Sequence, residues 1–416
     1  MNDTSAPQLP RLILKPGKER PPRQRHPWIF SGAVARTELA PEPGGTVAVL
    51  AADGEFLGVA GWNPASQLCA RLWRFDAGPV DRAFFQQRLE RALAGRRLAG
   101  LLPGGTETDC FRIVHAEADG LPGLVADLYG GHLVVQVLTL AMERHLPLVL
   151  ELLAEQVRPR GIFERSDVEL RTKEGLQPRT GLLWGEPPPP AVAVRENGLP
   201  LLVDISGGQK TGFFLDQREN RRKLAAAAAA LARERPEPLE VLNAFAYTGG
   251  FGVAIAAQLP TARITNLDAS AEALALARRN FALNGIAGDD GRVAFEQANA
   301  FEWLRGCRDR GRQFDVIILD PPKFAASQAH VDKAARGYKD LILLGMKMLR
   351  PGGLLAAFSC SGAVTPELFQ KIAAGAALDA GREGQILGRL GPGPDHPVAL
   401  PFPEGDYLKG LLLRVW

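Results

Sequence analysis

The chain has 416 residues, 46% of them hydrophobic and 23% charged, with a formal net charge of +3. That composition is globular, and the length excludes one ordinary domain: at about 150 residues each, two or three are expected. The net charge is too small to decide partners, but no uncharged apolar run of 18 residues is present to span a bilayer.

In chain order, the start from Met1 to Pro10 is polar, with no apolar core of a secretory signal, so a cytoplasmic protein is expected. Lys15 to Arg25 carries Lys15, Lys18, Arg20, Arg23 and Arg25 against a single acid, Glu19. Such a face suits nucleic acid or is simply a solvated surface. Short apolar runs follow at Thr46–Leu50, Phe56–Trp62 and Leu68–Phe75, broken by Gly and Pro, so residues 11–78 read as a small β-domain. Pro79–Ala99 places Phe85, Leu89 and Leu93 at helical spacing. Strand-like runs at 111–115, 124–128 and 133–138, a helical stretch at 142–156 and a strand at 161–165 make residues 79–186 a mixed α+β block. Four consecutive prolines at 187–190 mark an extended connector and a boundary. The alanine run 225–230, flanked by Leu224 and Leu231, reads as a packed helix.

Residues 191–416 then alternate. Strands are expected at 239–245, 264–268, 292–297, 314–320, 354–359 and 408–415, with helices at 271–283 and 333–349 stopped by Gly285 and by Pro351-Gly352-Gly353. Alternation of this kind implies an α/β, doubly wound sheet with helices on both faces.

Four segments carry chemistry. In Val241-Leu242-Asn243-Ala244-Phe245-Ala246-Tyr247-Thr248-Gly249-Gly250-Phe251 a strand runs into a glycine-bearing turn and a helix. Asp268 ends the next strand, where an acid accepts from ribose hydroxyls; a tight turn with a capping aspartate is the plainer alternative. G-x-G-x-x-G is absent, so a cofactor holding adenosine and an amino acid suits the turn better than a dinucleotide. Asp320-Pro321-Pro322-Lys323 follows an apolar strand, and two prolines there stiffen its exit into the crevice. Ser359-Cys360-Ser361-Gly362 again ends a strand. A lone cysteine is usually a small buried hydrophobe. At this sheet edge, beside Gly249, Asp268 and Asp320, a Cys360 thiolate could instead attack C6 of a pyrimidine and make C5 nucleophilic. Cys69, Cys110 and Cys307 are assigned to packing. With no C-x-x-C pair, no metal site is expected.

Together these segments resemble class I methyltransferases acting on RNA. The chain as a whole resembles the bacterial large-subunit (23S) ribosomal RNA cytosine-5 methyltransferase family of the methyltransferase I type. The resemblance includes Leu14-Lys15-Pro16-Gly17-Lys18-Glu19 and His26-Pro27-Trp28-Ile29-Phe30-Ser31-Gly32, similar to the start of a PUA-type RNA-binding domain. It includes Glu117 to Leu124, Glu164-Arg165-Ser166-Asp167, and Gly208 to Arg218.

The resemblance implies a Rossmann-like sheet preceded by a PUA-like barrel and a central domain, with S-adenosyl-L-methionine as cofactor and large-subunit rRNA as partner. Phe245, Tyr247 and Gly249 would line the cofactor pocket with Asn243 and Thr248 of the same segment. Asp268 would hold the ribose and Gln217 would approach the methionine end. Cys360 would be the nucleophile, and Asp320 would hydrogen-bond the target base beside the cofactor. Lys15, Arg20, Arg23, His26 and Lys323 would contact RNA, with Trp28 stacking or packing. Where the family usually has an aspartate facing adenine, this chain has Asn299, followed by Ala300; the amide oxygen is expected to accept from the adenine amino group. Transfer to uracil C5 or a guanine nitrogen, and a noncatalytic RNA-binding assembly factor, stay open as alternatives. A homodimer stays open too. His396 is a candidate for removing the C5 proton or a structural turn histidine.

Overall fold

The structure, a computed structural model, describes residues 9–286, 291–325 and 328–416. The polar N-terminal segment before residue 9 lies outside them. Contacts divide the chain into two compact units: Met1–Val192 with Asp204–Phe213 and Pro394–Gly405, and Ala193–Val203 with Phe214–Gly393 and Asp406–Trp416. This is a coarser division than the expected blocks 11–78, 79–186 and 191–416. It also groups 204–213 and 394–405 with the first unit.

The first unit opens with β1 (Arg11–Leu14), the short helix α1 (Arg20–Arg23), β2 (Trp28–Ile29), β3 (Val34–Glu38), β4 (Thr46–Leu50), β5 (Phe56–Trp62) and β6 (Ala70–Arg74). The six strands form one sheet, ordered β2-β6-β5-β4-β1-β3, with only β1 and β4 parallel. In β4, Val47 and Val49 point inward and their neighbours outward, the period-two signature of a half-buried strand. Leu12, Leu14, Val47, Val49, Leu57 and Leu72 form the core. Each such side chain, fully buried, contributes roughly 1.5–3 kcal/mol.

A second sheet follows in the same unit. It holds β7 (Cys110–His115), β8 (Leu124–Tyr129), β9 (His132–Val137), β10 (Gly161–Ser166) and β11 (Arg179–Gly185), in the order β11-β10-β9-β8-β7. Helix α2 (Arg82–Leu98) is capped by Asp81, which accepts from Phe84 N at 3.0 Å. Helix α3 (Leu140–Val157) is capped by Thr139 and joins the parallel strands β9 and β10; the short α4 (Glu169–Lys173) follows. Phe85, Leu89, Met142, Leu146 and Val149 face the sheet.

The unit also buries a polar network. Arg112 clasps Asp127 with two bonds of 2.7 and 2.9 Å, and Thr211 Oγ1 donates to the same carboxylate. Arg112 Nη1 donates to His115 Nδ1, so His115 is neutral with its proton on Nε2. Burial above all, then the charge of Arg112, holds the His115 pKa well below its usual value. In the unfolded chain the same imidazole takes up a proton below about pH 6.5. Stability is therefore complete above that pH and falls as the pH drops toward the folded pKa, by at most about 1.4 kcal/mol per pH unit for this group. His132 and His145, also lowered by burial, add to the slope. Urea melts at pH 7.5, 6.5 and 5.5 should show the decline, and it should be shallower in His115→Gln. An equal slope in the variant would remove His115 from this account.

In the second unit, β12 (Val192–Glu196) and β13 (Leu199–Val203) form a hairpin across Asn197-Gly198, both at positive φ. Helix α5 (Arg218–Ala232) contains the alanine run, with Leu224, Ala225, Ala228 and Leu231 buried. A seven-stranded sheet follows, built from β14 (Glu240–Ala244), β15 (Arg263–Asp268), β16 (Val293–Gln297), β17 (Phe314–Leu319), β18 (Leu349–Ser359), β19 (Gly384–Leu390) and β20 (Lys409–Val415). Its order is β16-β15-β14-β17-β18-β20-β19. β14 to β18 run parallel, and β20 lies antiparallel to β18 and β19. The intervening helices are α6 (Gly250–Gln258), α7 (Ala271–Leu283), α8 (Ala300–Asp309), α9 (Val331–Met348) and α10 (Pro366–Ala380). Among the described residues, no helix is long and apolar enough to cross a membrane, and no group of three or more His, Cys, Asp or Glu could hold a metal ion.

Candidate cofactor and catalytic site

The strand order reverses at β14, whose neighbours are β15 on one side and β17 on the other. In such sheets the crevice opens beyond the carboxyl ends of the strands at this switch point. Register brings those ends to the same side of the sheet, with β18 running on past its pairing with β17 to Ser359. Ala244 pairs with Leu267 and with Leu319, and Leu319 pairs with Ala357. Phe245, Asp268, Asp320 and Cys360 thus leave the sheet along one edge.

The turn after β14 is held in an uncommon conformation. Phe245 and Tyr247 sit at φ 59° and 48°, and Gly249 at 83°. For residues bearing a Cβ this costs on the order of 1–2 kcal/mol each. Asp268 offsets the cost. Its Oδ2 accepts from Tyr247 N at 2.8 Å and its Oδ1 from Ser270 N at 2.9 Å. Each oxygen keeps a lone pair for a ligand hydroxyl. Gly249 is the N-cap of α6, where its positive φ disfavours any side chain and a Cβ would crowd the Phe281 ring at 3.0 Å. Thr248 is buried, and its Oγ1 has no hydrogen-bond partner among the described residues. The half-buried rings of Phe245 and Tyr247 border the same turn, and Phe214 meets Tyr247 edge-on at 5.4 Å. An acid with two lone pairs to offer, an orphaned hydroxyl and aromatic rings suit a ribose, an amino acid end and an adenine. Asn243 serves differently: it is 1% exposed, and its Nδ2 donates to Asn266 Oδ1 across the sheet.

Asp320 accepts from Gln217 Nε2 at 3.0 Å, and Gln217 Oε1 accepts from Asn220 Nδ2 at 2.6 Å. Gln217 is buried at the start of α5, so the relay fixes the Asp320 carboxylate from behind. Asn299 has a structural task as well. Its Oδ1 already accepts from Phe301 N and Glu302 N, because Asn299 is the N-cap of α8. Both lone pairs are thus engaged within the helix start, and the Nδ2 donor is the group left to offer a ligand. Ala300, the first residue of α8, has a backbone N–H with no acceptor inside the helix.

Cys360 is half-buried, whereas Cys69, Cys110 and Cys307 are fully buried. Burial pushes the Cys69 thiol up to about 11. The turn carrying Cys360 is pinned by its serines. Ser361 Oγ meets Tyr338 Oη at 3.0 Å and accepts from Ala325 N at 3.2 Å, and Ser361 N donates to Ser359 Oγ. Lys323 is exposed on the loop after Asp320.

The other expected RNA contacts lie in the first unit. Lys15 is exposed, and its Nζ donates to Gly32 O. Arg20 is exposed with no ion pair among the described residues. Arg23 is paired with Glu19, Asp53 and Glu55, and His26 Nε2 lies 3.2 Å from Glu404. Exposed pairs of this kind are worth little, so phosphate can compete for Arg23. Trp28 is engaged in packing: Nε1 donates to Glu117 and the ring meets Phe402 edge-on at 4.7 Å. His396 is 3% exposed against His115, ring centroids 5.2 Å apart, inside the polar network of the first unit. Two contributors were not anticipated: Asn220, which gives no sequence signal, and Lys409, a charge inside the apolar run Leu408 to Leu413, which does.

Comparison with known proteins bears on the family and the fold. Residues 121–414 match the family model of S-adenosylmethionine-dependent methyltransferases, and residues 12–75 match that of PUA-like domains. The chain is 47% identical over 407 residues to ribosomal RNA large subunit methyltransferase I of Shewanella amazonensis, covering 98% of this chain and 99% of that one. The protein of the same name from Tolumonas auensis is 47% identical over 405 residues, covering 97% and 98%. Among solved structures, a SAM-dependent methyltransferase from Streptococcus mutans shares the fold at a TM-score of 0.81 and 21% identity, over 97% of this chain and 99% of that one. A methyltransferase complexed with SAH superimposes with the same TM-score, identity and coverage. With its switch-point turn, its Asp268 and its full-length kinship, the chain belongs to the S-adenosylmethionine-dependent methyltransferases, in the family of ribosomal RNA large subunit methyltransferase I.

Proposed function

We propose that the protein methylates carbon 5 of a cytosine in large-subunit ribosomal RNA through a transient bond to Cys360. The observation that carries this reading is the place of Cys360: half-buried, on the turn after β18, along the sheet edge that also presents Asp320 and Asp268. The name of the relatives supports the RNA class. When bound, S-adenosylmethionine supplies an electrophilic methyl group. Cys360 Sγ adds to C6 of the base, carbon 5 becomes nucleophilic and takes the methyl. Loss of the C5 proton then restores the double bond and releases the thiolate. Asp320, steadied by Gln217, accepts from the exocyclic amine of the base and orients it. The base reaches this crevice flipped out of its strand. Lys15, Arg20, Arg23 and His26 of the PUA-like segment, and Lys323 beside the crevice, engage phosphates. Phosphate contacts position the RNA without reading its sequence.

An rRNA fragment carrying 5-fluorocytidine at the target tests this. Fluorine at C5 cannot leave as a proton, so the protein should remain attached to the RNA through denaturing electrophoresis. No adduct, with methyl transfer found at a nitrogen by nucleoside mass spectrometry, would overturn the reading.

A further inference from the structure

We propose that Lys409 is a positioning residue for Cys360: its buried ammonium anchors the Ser359–Ser361 turn and favours the thiolate over the thiol. The inference rests on Cys360 acting as nucleophile. It starts from an anomaly in β20. Lys409 stands in an apolar run, is 6% exposed, and would be costly there if it only filled space. Register pairs it with Ser359, the last residue of β18 before Cys360. Its Nζ donates to Ser361 O at 2.8 Å, on the other side of Cys360. The ammonium is thus tied to the turn whose centre is the thiol.

Lys409 interacts electrostatically with Asp406, Cys360 and Lys323. Tyr338, from α9, faces Ser359, Ser361 and Cys360, and burial raises its pKa, so it stays a neutral phenol. Burial lowers the Lys409 pKa most and Lys323 adds to that, while Asp406 and the Cys360 charge raise it. Coupling between two titrating groups is mutual: a Cys360 anion that favours the ammonium is itself favoured by it. Thiolates are stabilised beside lysine in this way, and the thiolate is the reactive form.

The test uses the full-length protein and iodoacetamide, with the modified cysteine identified by peptide mass spectrometry from pH 5.5 to 10. Cys69, Cys110 and Cys307 are buried, so only Cys360 is labelled while the fold holds, and labelling of the others reports unfolding. In Lys409→Met the labelling curve of Cys360 should move to higher pH, with rates below its midpoint about tenfold slower than wild type. Lys409→Arg, which keeps the charge, should restore most of the rate. A Lys409→Met curve that overlays the wild type, in folded protein, overturns the proposal. If Lys409→Met does not fold, Lys409→Arg decides: a curve moved upward despite the retained cation overturns the proposal, and an unmoved one supports it. The labelling needs no RNA. A failure to trap 5-fluorocytidine RNA with a shifted labelling curve would therefore remove the nucleophile reading and leave the lysine–thiolate coupling standing. Trapping with an unshifted curve would remove only Lys409.

Discussion

Cys360→Ala should lower product formation on an rRNA fragment by at least about 10³-fold, with no covalent adduct on 5-fluorocytidine RNA. Without the sulfur no addition at C6 occurs, and carbon 5 of a cytosine is then too weakly nucleophilic to take a methyl group. Removing a nucleophile costs the whole covalent route, so what persists reflects binding and orientation alone. The substitution is gentle on the fold, because Cys360 is half-buried and alanine is only slightly smaller. Thermal melts and the affinity for S-adenosylhomocysteine should stay close to wild type. Product forming at the wild-type rate would remove Cys360 from the mechanism and favour a nitrogen target, which needs no covalent step.

Asp268→Ala should weaken S-adenosylhomocysteine binding by about 100-fold, roughly 2.7 kcal/mol, in titration calorimetry. Two losses combine. The backbone donors of Tyr247 and Ser270 lose a charged acceptor, each such bond being worth about 1.5–3 kcal/mol. The left-handed residues Phe245 and Tyr247 then lose what holds them, so the ligand must also reorder the turn. Asp268→Asn keeps one oxygen acceptor and should fall between the two. Unaltered affinity in the alanine variant would show that neither a contact from Asp268 nor its hold on the turn matters to the ligand.

Much of this site is local, and local features are legible in a chain. The strand-turn-helix at 241–251, the acid at 268, the Asp-Pro-Pro loop at 320 and the cysteine at 360 each announce themselves by residue type next to an apolar run. So do the β/α alternation and the helices expected at 271–283 and 333–349, observed at Ala271–Leu283 and Val331–Met348. Other local signals lie in the chain. Asn197-Gly198 sits between β12 and β13 as a hairpin turn should, and Thr365-Pro366-Glu367 opens α10 with a cap, an N1 proline and an early acid. The edge strands β11 and β19 are harder to see, since a strand exposed along much of its length, as at Leu182, Trp184, Ile386 and Leu387, needs no hydrophobic face.

By itself, then, the sequence determined the architecture, an alternating α/β sheet after a small β-domain, and its resemblance to a known family supplied the methyltransferase and PUA-like identities. Periodicity, turn residues and strand-end acids are properties of neighbouring residues, so the chain displays them directly. Only the tertiary structure decided which polar groups are engaged. Asn299 Oδ1 caps a helix, Asn243 pairs with Asn266, Arg23 meets Asp53 and Glu55, and Asp320 receives Gln217 from far upstream. These outcomes depend on strand order and register, which bring together residues with no pattern linking them along the chain. The placement of Lys409 across the register from Ser359, with its Nζ on Ser361 O, belongs to this second kind.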